Sequence, residues 1–144
     1  RCDALRARVV LHGDTFEEAA AHARVLEATE GLTPVHPFDD PHVIAGQGTL
    51  ALEVLLAQPE IDAFVVPVGG GGLLAGVATV VKALRPEALV ISVEPAHAAG
   101  FHAARHAGRP VPVALLPTLA DGLAVARAGS RTFAQADPRV DRLV

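Results

Sequence analysis

Four consecutive glycines, residues 69–72, offer the clearest chemistry in this sequence. They follow an apolar, β-branched run and precede a run with helical spacing, so they join a predicted strand to a predicted helix. Because glycine lacks a Cβ, the N–H groups of such a loop can converge on one point, to which the helix adds its positive end. An anion such as a phosphate group is the natural guest. A tight turn that packs the helix onto the sheet is the plainer alternative.

Two classes of phosphate-containing cofactor use a loop of this kind. The segment from Gly70 to Ala75 matches the dinucleotide fingerprint G-x-G-x-x-A, and Glu94 lies about twenty residues further on, at the end of a predicted strand. In dinucleotide-binding domains an acid at that place binds a ribose hydroxyl. The motif is short and weakly specific, and pyridoxal phosphate is the rival guest. The spacing alone therefore leaves both cofactors open.

Amine chemistry has one candidate side chain. Lys82 is the only lysine, because the other eleven basic residues are arginines. It lies ten residues after Gly72 on the predicted helix, which at about 1.5 Å rise per residue places its Cα roughly 15 Å from the loop. The aldehyde of a cofactor bound through its phosphate would lie much nearer. We therefore predict that Lys82 is a solvated residue whose charge suits the C-terminal end of a helix.

The remaining polar residues give weaker signals. His102 and His106 have the i, i+4 spacing of a metal site on one helix face, but no H-E-x-x-H pattern is present and Arg105 would repel a cation. Asp39 and Asp40 are predicted to lie in a solvated loop. We expect structural or solvent-exposed roles for all of these side chains.

The elements that must position the glycine loop follow from the apolar pattern. Alternating short apolar runs and longer amphipathic runs indicate an α/β fold with a mostly parallel sheet. The predicted strands are residues 8–11, 33–36, 62–68, 88–93 and 140–144, and the predicted helices are residues 16–30, 47–58, 73–84, 96–107 and 131–136. The third and fourth strands, with the loop and helix between them, form a β–α–β unit. Both of these strands are apolar enough to be covered on both faces.

Composition and charge narrow the class of protein. The 144 residues are 51% hydrophobic and 19% charged, and the formal net charge is −4 without a basic run, which argues against a nucleic-acid partner. Residues 63–81 carry no charge, yet Pro67 and the glycines are poor helix material, so a strand, a turn and a helix are favoured over a membrane span. The single cysteine, Cys2, cannot form an internal disulfide, and we expect a cytoplasmic location without membrane contact.

A longer stretch carries a family resemblance. Residues 65–78, Val-Val-Pro-Val-Gly-Gly-Gly-Gly-Leu-Leu-Ala-Gly-Val-Ala, resemble the tetraglycine loop of threonine dehydratases and serine racemases, the fold-type II pyridoxal-phosphate enzymes. Residues 9–14, 35–41, 43–49, 93–95 and 118–125 resemble the same family and follow in the family's order. The resemblance therefore covers essentially the whole chain.

The resemblance implies a two-lobed enzyme, in which residues 1–40 are the end of a small lobe and residues 41–144 are part of a large lobe. It also implies that the cofactor is pyridoxal 5'-phosphate and that backbone N–H groups bind its phosphate. These N–H groups belong to Gly69, Gly70, Gly71, Gly72 and Leu73. Valine at Gly70 and Gly71 would then occupy the position of the anion. Gly122 is expected near the cofactor ring.

The resemblance also bears on a metal site. In metal-dependent relatives the glutamate of a Glu-Pro pair and a later carboxylate hold a divalent cation. Glu94 matches the first of these ligands, but Gly100 stands about where the second would be. We therefore expect no metal, with Glu94 as the sole candidate ligand.

Two motifs of the family do not occur in this chain. They are the Ser-x-Lys-x-Arg-Gly-Ala-like stretch with the Schiff-base lysine and the Ser-Ser-Gly-Asn-His-like stretch with the ring-contacting asparagine. We expect no catalytic residue here and interpret the chain, which lacks an initial Met, as a fragment of a longer homo-oligomeric enzyme. The implied parent activity converts a small amino acid, L-threonine or L-serine, to a 2-oxo acid and ammonia. A serine racemase with the same loop and a Rossmann-type dinucleotide-binding domain are the alternatives.

Overall fold

The computed structural model describes residues 2–144, apart from the side chain of Asp3. Its helices are α1 (Phe16–Glu30), α2 (Pro41–Ala57), α3 (Gly72–Leu84), α4 (Gly100–Ala107) and α5 (Ser130–Ala136), and its strands are β1 (Ala63–Pro67), β2 (Leu89–Val93) and β3 (Arg142–Leu143). Short 3-10 turns lie at Asp3–Leu5, Ala96–Ala98, Asp121–Leu123 and Asp137–Arg139. These elements form two compact units, which divide between Val35 and His36.

The first unit contains α1, whose ends are set by local sequence. Thr15 and Glu18 form a capping box: Thr15 Oγ1 accepts from the Glu18 N–H at 3.2 Å, and the Glu18 carboxylate accepts from the Thr15 N–H at 3.0 Å. Gly31 ends the helix in the left-handed region at φ +67°, a backbone conformation that glycine adopts readily. The strands predicted at residues 8–11 and 33–36 are wrong, because neither segment pairs with a neighbouring strand in the described chain.

The second unit is built on a parallel sheet with the strand order β1, β2, β3. Ala63 lies opposite Leu89, and Ile91 lies opposite Arg142. Since α3 connects β1 to β2, the predicted β–α–β unit is confirmed. Side chains of β1 alternate between exposed and buried, and Val65 is 64% exposed. The sequence predicts that both faces of β1 are covered. Among the described residues 2–144, the face that carries Val65 is instead exposed.

Helix α2 begins six residues before its predicted start at residue 47. Asp40 caps it and Pro41 occupies its first position, a strong start signal. The predicted start is too late because Gly46 and Gly48 lie in the first half of the helix, and glycine disfavours a helix by about 1 kcal/mol relative to alanine. Gly48 serves packing: a Cβ there would lie 3.1 Å from the carbonyl oxygen of Gly76 in α3. Gly48 and Gly76 thus allow α2 and α3 to cross closely.

Helix α4 is shorter than the predicted segment 96–107, because Ala96–Ala98 forms a 3-10 turn and the α-helix begins at Gly100. Its last residue is followed by Gly108 at φ +67°. No helix within residues 2–144 combines the length and the apolar character needed to cross a bilayer.

Candidate functional site

The glycine loop lies between the carboxyl end of β1 and the first residue of α3. Its five N–H groups, from Gly69 to Leu73, find neither a backbone nor a side-chain acceptor within residues 2–144. Val68, before the loop, donates to the Val93 carbonyl at 2.9 Å, and Ala75, in the first turn of α3, donates to the Gly71 carbonyl at 2.9 Å. The Leu74 N–H, like that of Leu73, finds no acceptor among the described residues. Unpaired N–H groups at a helix N-terminus form an environment that favours negative charge.

Protein atoms crowd the Cα atoms of the same four glycines. A Cβ at Gly70 would overlap the Phe38 ring, and one at Gly72 would lie 3.0 Å from the Phe38 Cβ. A Cβ at Gly69 would lie 3.2 Å from the backbone of Leu123. Internal packing alone therefore explains the absence of side chains, so four glycines in a row do not by themselves indicate a ligand. What points to a ligand is the set of unpaired N–H groups.

This crowding corrects the expectation that valine at Gly70 and Gly71 would occupy the position of an anion. At Gly70 the new side chain would displace Phe38. At Gly71 it would be 2.9 Å from Thr132 Oγ1 at its Cβ, and Gly71 has a φ of +94°, which a branched side chain rarely adopts. Such variants would disturb the fold of the loop and would not report on its N–H groups.

Residues outside the glycine loop hold its backbone in place through hydrogen bonds. The Gly70 carbonyl accepts from the Gly129 N–H at 3.0 Å and from Thr132 Oγ1 at 2.7 Å. Asp39 accepts from three N–H groups at the start of α5, those of Ser130, Arg131 and Thr132, at 3.1, 2.8 and 3.0 Å. Asp39 thus binds the helix that binds the loop.

Asp39 and Asp40 lie in the loop before α2, as predicted, and are half-buried, but the prediction missed that both carboxylates cap helices. Asp40 Oδ1 accepts from the N–H groups of His42 and Val43 at 2.8 and 3.2 Å, and the Val43 N–H in particular lowers the pKa of this carboxyl. Asp40 could have been found from Pro41, since an Asp before a proline is a common helix start. No local signal indicates Asp39, because its partners lie 91 to 93 residues later.

Gly122 lies in the 3-10 turn Asp121–Leu123. Its N–H donates to the Asp121 carboxylate at 2.8 Å, and no protein atom lies within 4 Å of the position a Cβ would take. Leu123, the next residue, packs against Gly69. The structure therefore places this turn beside the glycine loop, and it gives Asp121 the turn-forming role that its position next to a glycine suggests.

Glu94 caps helix α4. Oε1 accepts from the Phe101 N–H and Oε2 from the His102 N–H, both at 2.7 Å. Burial raises the pKa of the Glu94 carboxyl, against the opposing effect of these two N–H groups. Both oxygens thus accept hydrogen bonds within the fold, which gives Glu94 a structural role that requires no ligand. Among residues 2–144 no three His, Cys, Asp or Glu side chains are grouped to hold a metal ion.

Lys82 is less free than the sequence predicts. It lies in the last turn of α3, as expected, but its ammonium group is 2.8 Å from Asp141 Oδ2 and donates to the Ala88 carbonyl at 2.7 Å. Its side chain is 20% exposed. The expectation of a solvated residue is therefore wrong, because the ion pair holds Lys82 against β2 and β3.

The two histidines of α4 lie side by side at the surface. The ring centroids of His102 and His106 are 5.0 Å apart. Arg105 does not lie against them as a repelling charge: it forms an ion pair of 2.6 Å with Asp137 and donates to the Val140 carbonyl. The expected repulsion by Arg105 is thus incorrect, whereas the absence of further ligands holds: the rings have no third ligand among the described residues.

A parallel β–α–β unit with a glycine loop at the carboxyl end of its first strand is typical of the class of α/β proteins that bind ligands at the strand ends. A family model described as "Pyridoxal-phosphate dependent enzyme" matches residues 1–144, and the chain belongs to this family. The Rossmann-type dinucleotide alternative therefore has no further support.

Within this family, the chain is similar to individual threonine-degrading enzymes and to a serine racemase. The chain is 44% identical over 140 residues to the L-threonine ammonia-lyase of Thermotoga maritima, covering 97% of this chain and 35% of that protein. It superposes on the structure of processed threonine deaminase isoform 2 from Solanum lycopersicum with a TM-score of 0.92 at 46% identity, covering 99% and 41%. For serine racemase from Dictyostelium discoideum the TM-score is 0.84 at 33% identity, covering 99% and 45%. The chain thus spans less than half of each of these relatives.

Proposed function

We propose that this chain supplies the phosphate-binding loop of a pyridoxal-phosphate enzyme that dehydrates L-threonine or L-serine to a 2-oxo acid and ammonia. The observation that carries the proposal is the run of unpaired N–H groups from Gly69 to Leu73 at the positive end of α3. Membership of the pyridoxal-phosphate family supports the choice of cofactor. The relatives named threonine ammonia-lyase and threonine deaminase support the choice of reaction.

The residues of the loop fit a phosphate group. Hydrogen bonds from backbone N–H groups to an anion are about twice as strong as those between neutral groups. The carboxylate of Asp39, which precedes α2, is directed at the N–H groups of α5 and bound there. The loop therefore offers donors and a favourable helix dipole to a dianion.

When bound, pyridoxal phosphate supplies an electron sink for negative charge that develops at the Cα of the amino acid. The residues described here bind and orient the phosphate end of the cofactor. We assign no proton transfer to them, because Lys82 is bound to Asp141 at the opposite end of α3 from the loop.

Phosphate binding can be tested without activity. Leu73→Pro removes one N–H donor in the first turn of α3, where that N–H makes no hydrogen bond within the helix. Titration with inorganic phosphate, followed by 31P NMR, should show a dissociation constant raised about tenfold or more by loss of one charge-assisted hydrogen bond. Glu17→Pro, at the same position of α1, is the matched control and should leave the affinity unchanged. Equal affinity in Leu73→Pro and the unchanged protein would exclude the loop as the phosphate site.

Dehydration and racemisation are separated by their products. The full-length protein that contains this chain, incubated with L-threonine or L-serine, should release a 2-oxo acid detectable as its dinitrophenylhydrazone. Serine racemisation, the second candidate that the 33% identical racemase structure supports, would appear as D-serine on a chiral column. Racemisation without 2-oxo acid would replace the proposed dehydratase activity by the alternative.

A further inference from the structure

We propose that Asp39 and Thr132 are positioning residues that hold the Gly70–Gly71 peptide so that its N–H group faces a bound phosphate. This inference rests on the proposed function of the glycine loop and deepens it. It concerns two side chains that lie outside the loop, behind it, and that act through its backbone.

The orientation of the Gly70–Gly71 peptide follows from the partners of its carbonyl group. Thr132 Oγ1 and the Gly129 N–H both donate to the Gly70 oxygen, at 2.7 and 3.0 Å. In a trans peptide the C=O and N–H bonds point in opposite directions, and no peptide bond within residues 2–144 is cis. The Gly70 carbonyl points toward α5, so the Gly71 N–H points away from α5, to the side where the loop N–H groups lack protein acceptors.

The Thr132 hydroxyl is well suited to fix this orientation. The residue is 0% exposed, so water does not compete for its hydrogen bond to the Gly70 carbonyl. It also lies directly against Gly71, where a Cβ would be 2.9 Å from Thr132 Oγ1. Any shift of Thr132 therefore moves both residues of the peptide.

Asp39 fixes the place of Thr132. Its carboxylate accepts from the first three N–H groups of α5, which have no partner within that helix. The preceding residue, Phe38, packs its ring on the Cα of Gly70. Gly70 is thus held between Phe38 on one side and the Thr132 hydroxyl on the other. The segment that carries Asp39 controls both contacts.

The experiment measures the affinity of the full-length protein that contains this chain, freed of cofactor, for inorganic phosphate, with 15N-labelled glycine to follow the Gly71 amide by NMR. Thr132→Val keeps the branched shape but removes the donor, whereas Thr132→Ser keeps the hydroxyl. Thr79→Val is the matched control, because the Thr79 hydroxyl donates to the Ala75 carbonyl within α3, away from the loop. Asp39→Glu preserves the charge and displaces the carboxylate by one methylene.

We expect Thr132→Val to raise the dissociation constant for phosphate about five- to tenfold, as for loss of one net hydrogen bond. Thr132→Ser and Thr79→Val should stay within about twofold of the unchanged protein, below the effect of one hydrogen bond. Asp39→Glu should weaken binding and shift the Gly71 amide signal in the same direction as Thr132→Val. If Thr132→Val does not fold, Thr132→Ala removes the same hydroxyl without the branched methyl groups, and Asp39→Glu gives an independent reading.

The outcomes separate this inference from the function on which it rests. Wild-type phosphate affinity in both Thr132→Val and Asp39→Glu, even with a lower melting temperature, overturns the positioning role while the loop remains the phosphate site. Failure of the unchanged protein to bind phosphate at all overturns both. Weaker binding in Thr132→Val that serine restores supports both.

Discussion

The ammonium group of Lys82 lies 2.8 Å from Asp141 Oδ2 and joins the last turn of α3 to the segment before β3. The same Asp141 oxygen accepts from the Val90 N–H in β2 at 2.7 Å. One carboxylate thus connects a helix and two strands. This arrangement occupies the only lysine of the sequence at the end of α3 remote from the glycine loop.

Lys82 is therefore not expected to react with the cofactor. Incubation with pyridoxal phosphate, reduction with borohydride and peptide mapping should give no stoichiometric modification of Lys82, because its amine is paired and distant from the loop. Lys82→Arg should show the same background as the unchanged protein. Stoichiometric labelling of Lys82, accompanied by turnover of threonine, would contradict the structural role assigned to this residue.

Acid should remove the contribution of the Lys82–Asp141 ion pair to the free energy of unfolding. The Lys82 side chain, followed by the Val90 N–H, lowers the pKa of Asp141 in the folded protein. The folded state then binds fewer protons than the unfolded state in acid, so the stabilisation is present above the ordinary aspartate pKa of about 3.9 and is lost as the pH falls through the folded value. Between about pH 5 and about pH 2 the unchanged protein should lose more unfolding free energy than Asp141→Asn.

Urea unfolding at a series of pH values measures this difference. Asp62→Asn, a change at an exposed aspartate, is the control and should follow the unchanged protein. Parallel pH curves for Asp141→Asn and the unchanged protein would show that the ion pair contributes nothing to acid stability.

The crossing of α2 and α3 depends on Gly76. A Cβ there would overlap the Ile44 carbonyl oxygen and lie 2.5 Å from the Gly48 nitrogen, both backbone atoms. Gly76→Ala should therefore cost about 3 kcal/mol of unfolding free energy, the upper end for overpacking. Gly46→Ala, in α2 with no atom near the new Cβ, should instead gain up to about 1 kcal/mol from helix propensity. Urea unfolding compares the two, and equal effects would refute the close crossing.

Glu94 should act as a helix cap. Glu94→Ala removes both acceptors from the start of α4 and should lower stability by about 1 to 2 kcal/mol. Glu94→Gln keeps one acceptor, so its stability should lie between that of Glu94→Ala and that of the unchanged protein. Thermal unfolding with added Mg²⁺ or Ca²⁺ should show no stabilisation in any of the three proteins. A rise in Tm with either cation that Glu94→Gln abolishes would instead support a metal site at this carboxylate.

Local sequence was sufficient for the features that neighbouring residues create. The apolar run of β1, the glycines and the helical spacing of α3 predict the β–α–β unit, since the backbone of each element bonds to residues close in sequence or to the next strand. The ends of α1 at Thr15 and Gly31 are local in the same way, because each cap involves residues within a few positions of the helix end. The stretch that resembles the tetraglycine loop also lies within one contiguous segment, which made the family recognisable.

Tertiary structure alone decided what holds that loop. Asp39 binds the start of α5 some 91 residues later, Thr132 donates to Gly70 across 62 residues, and Lys82 pairs with Asp141. No periodicity or motif encodes these pairs, because a hydrogen bond between distant segments depends on how the helices pack on the sheet. Packing also decides against residues 8–11 as a strand: a β-branched run forms one only where another strand offers its backbone groups.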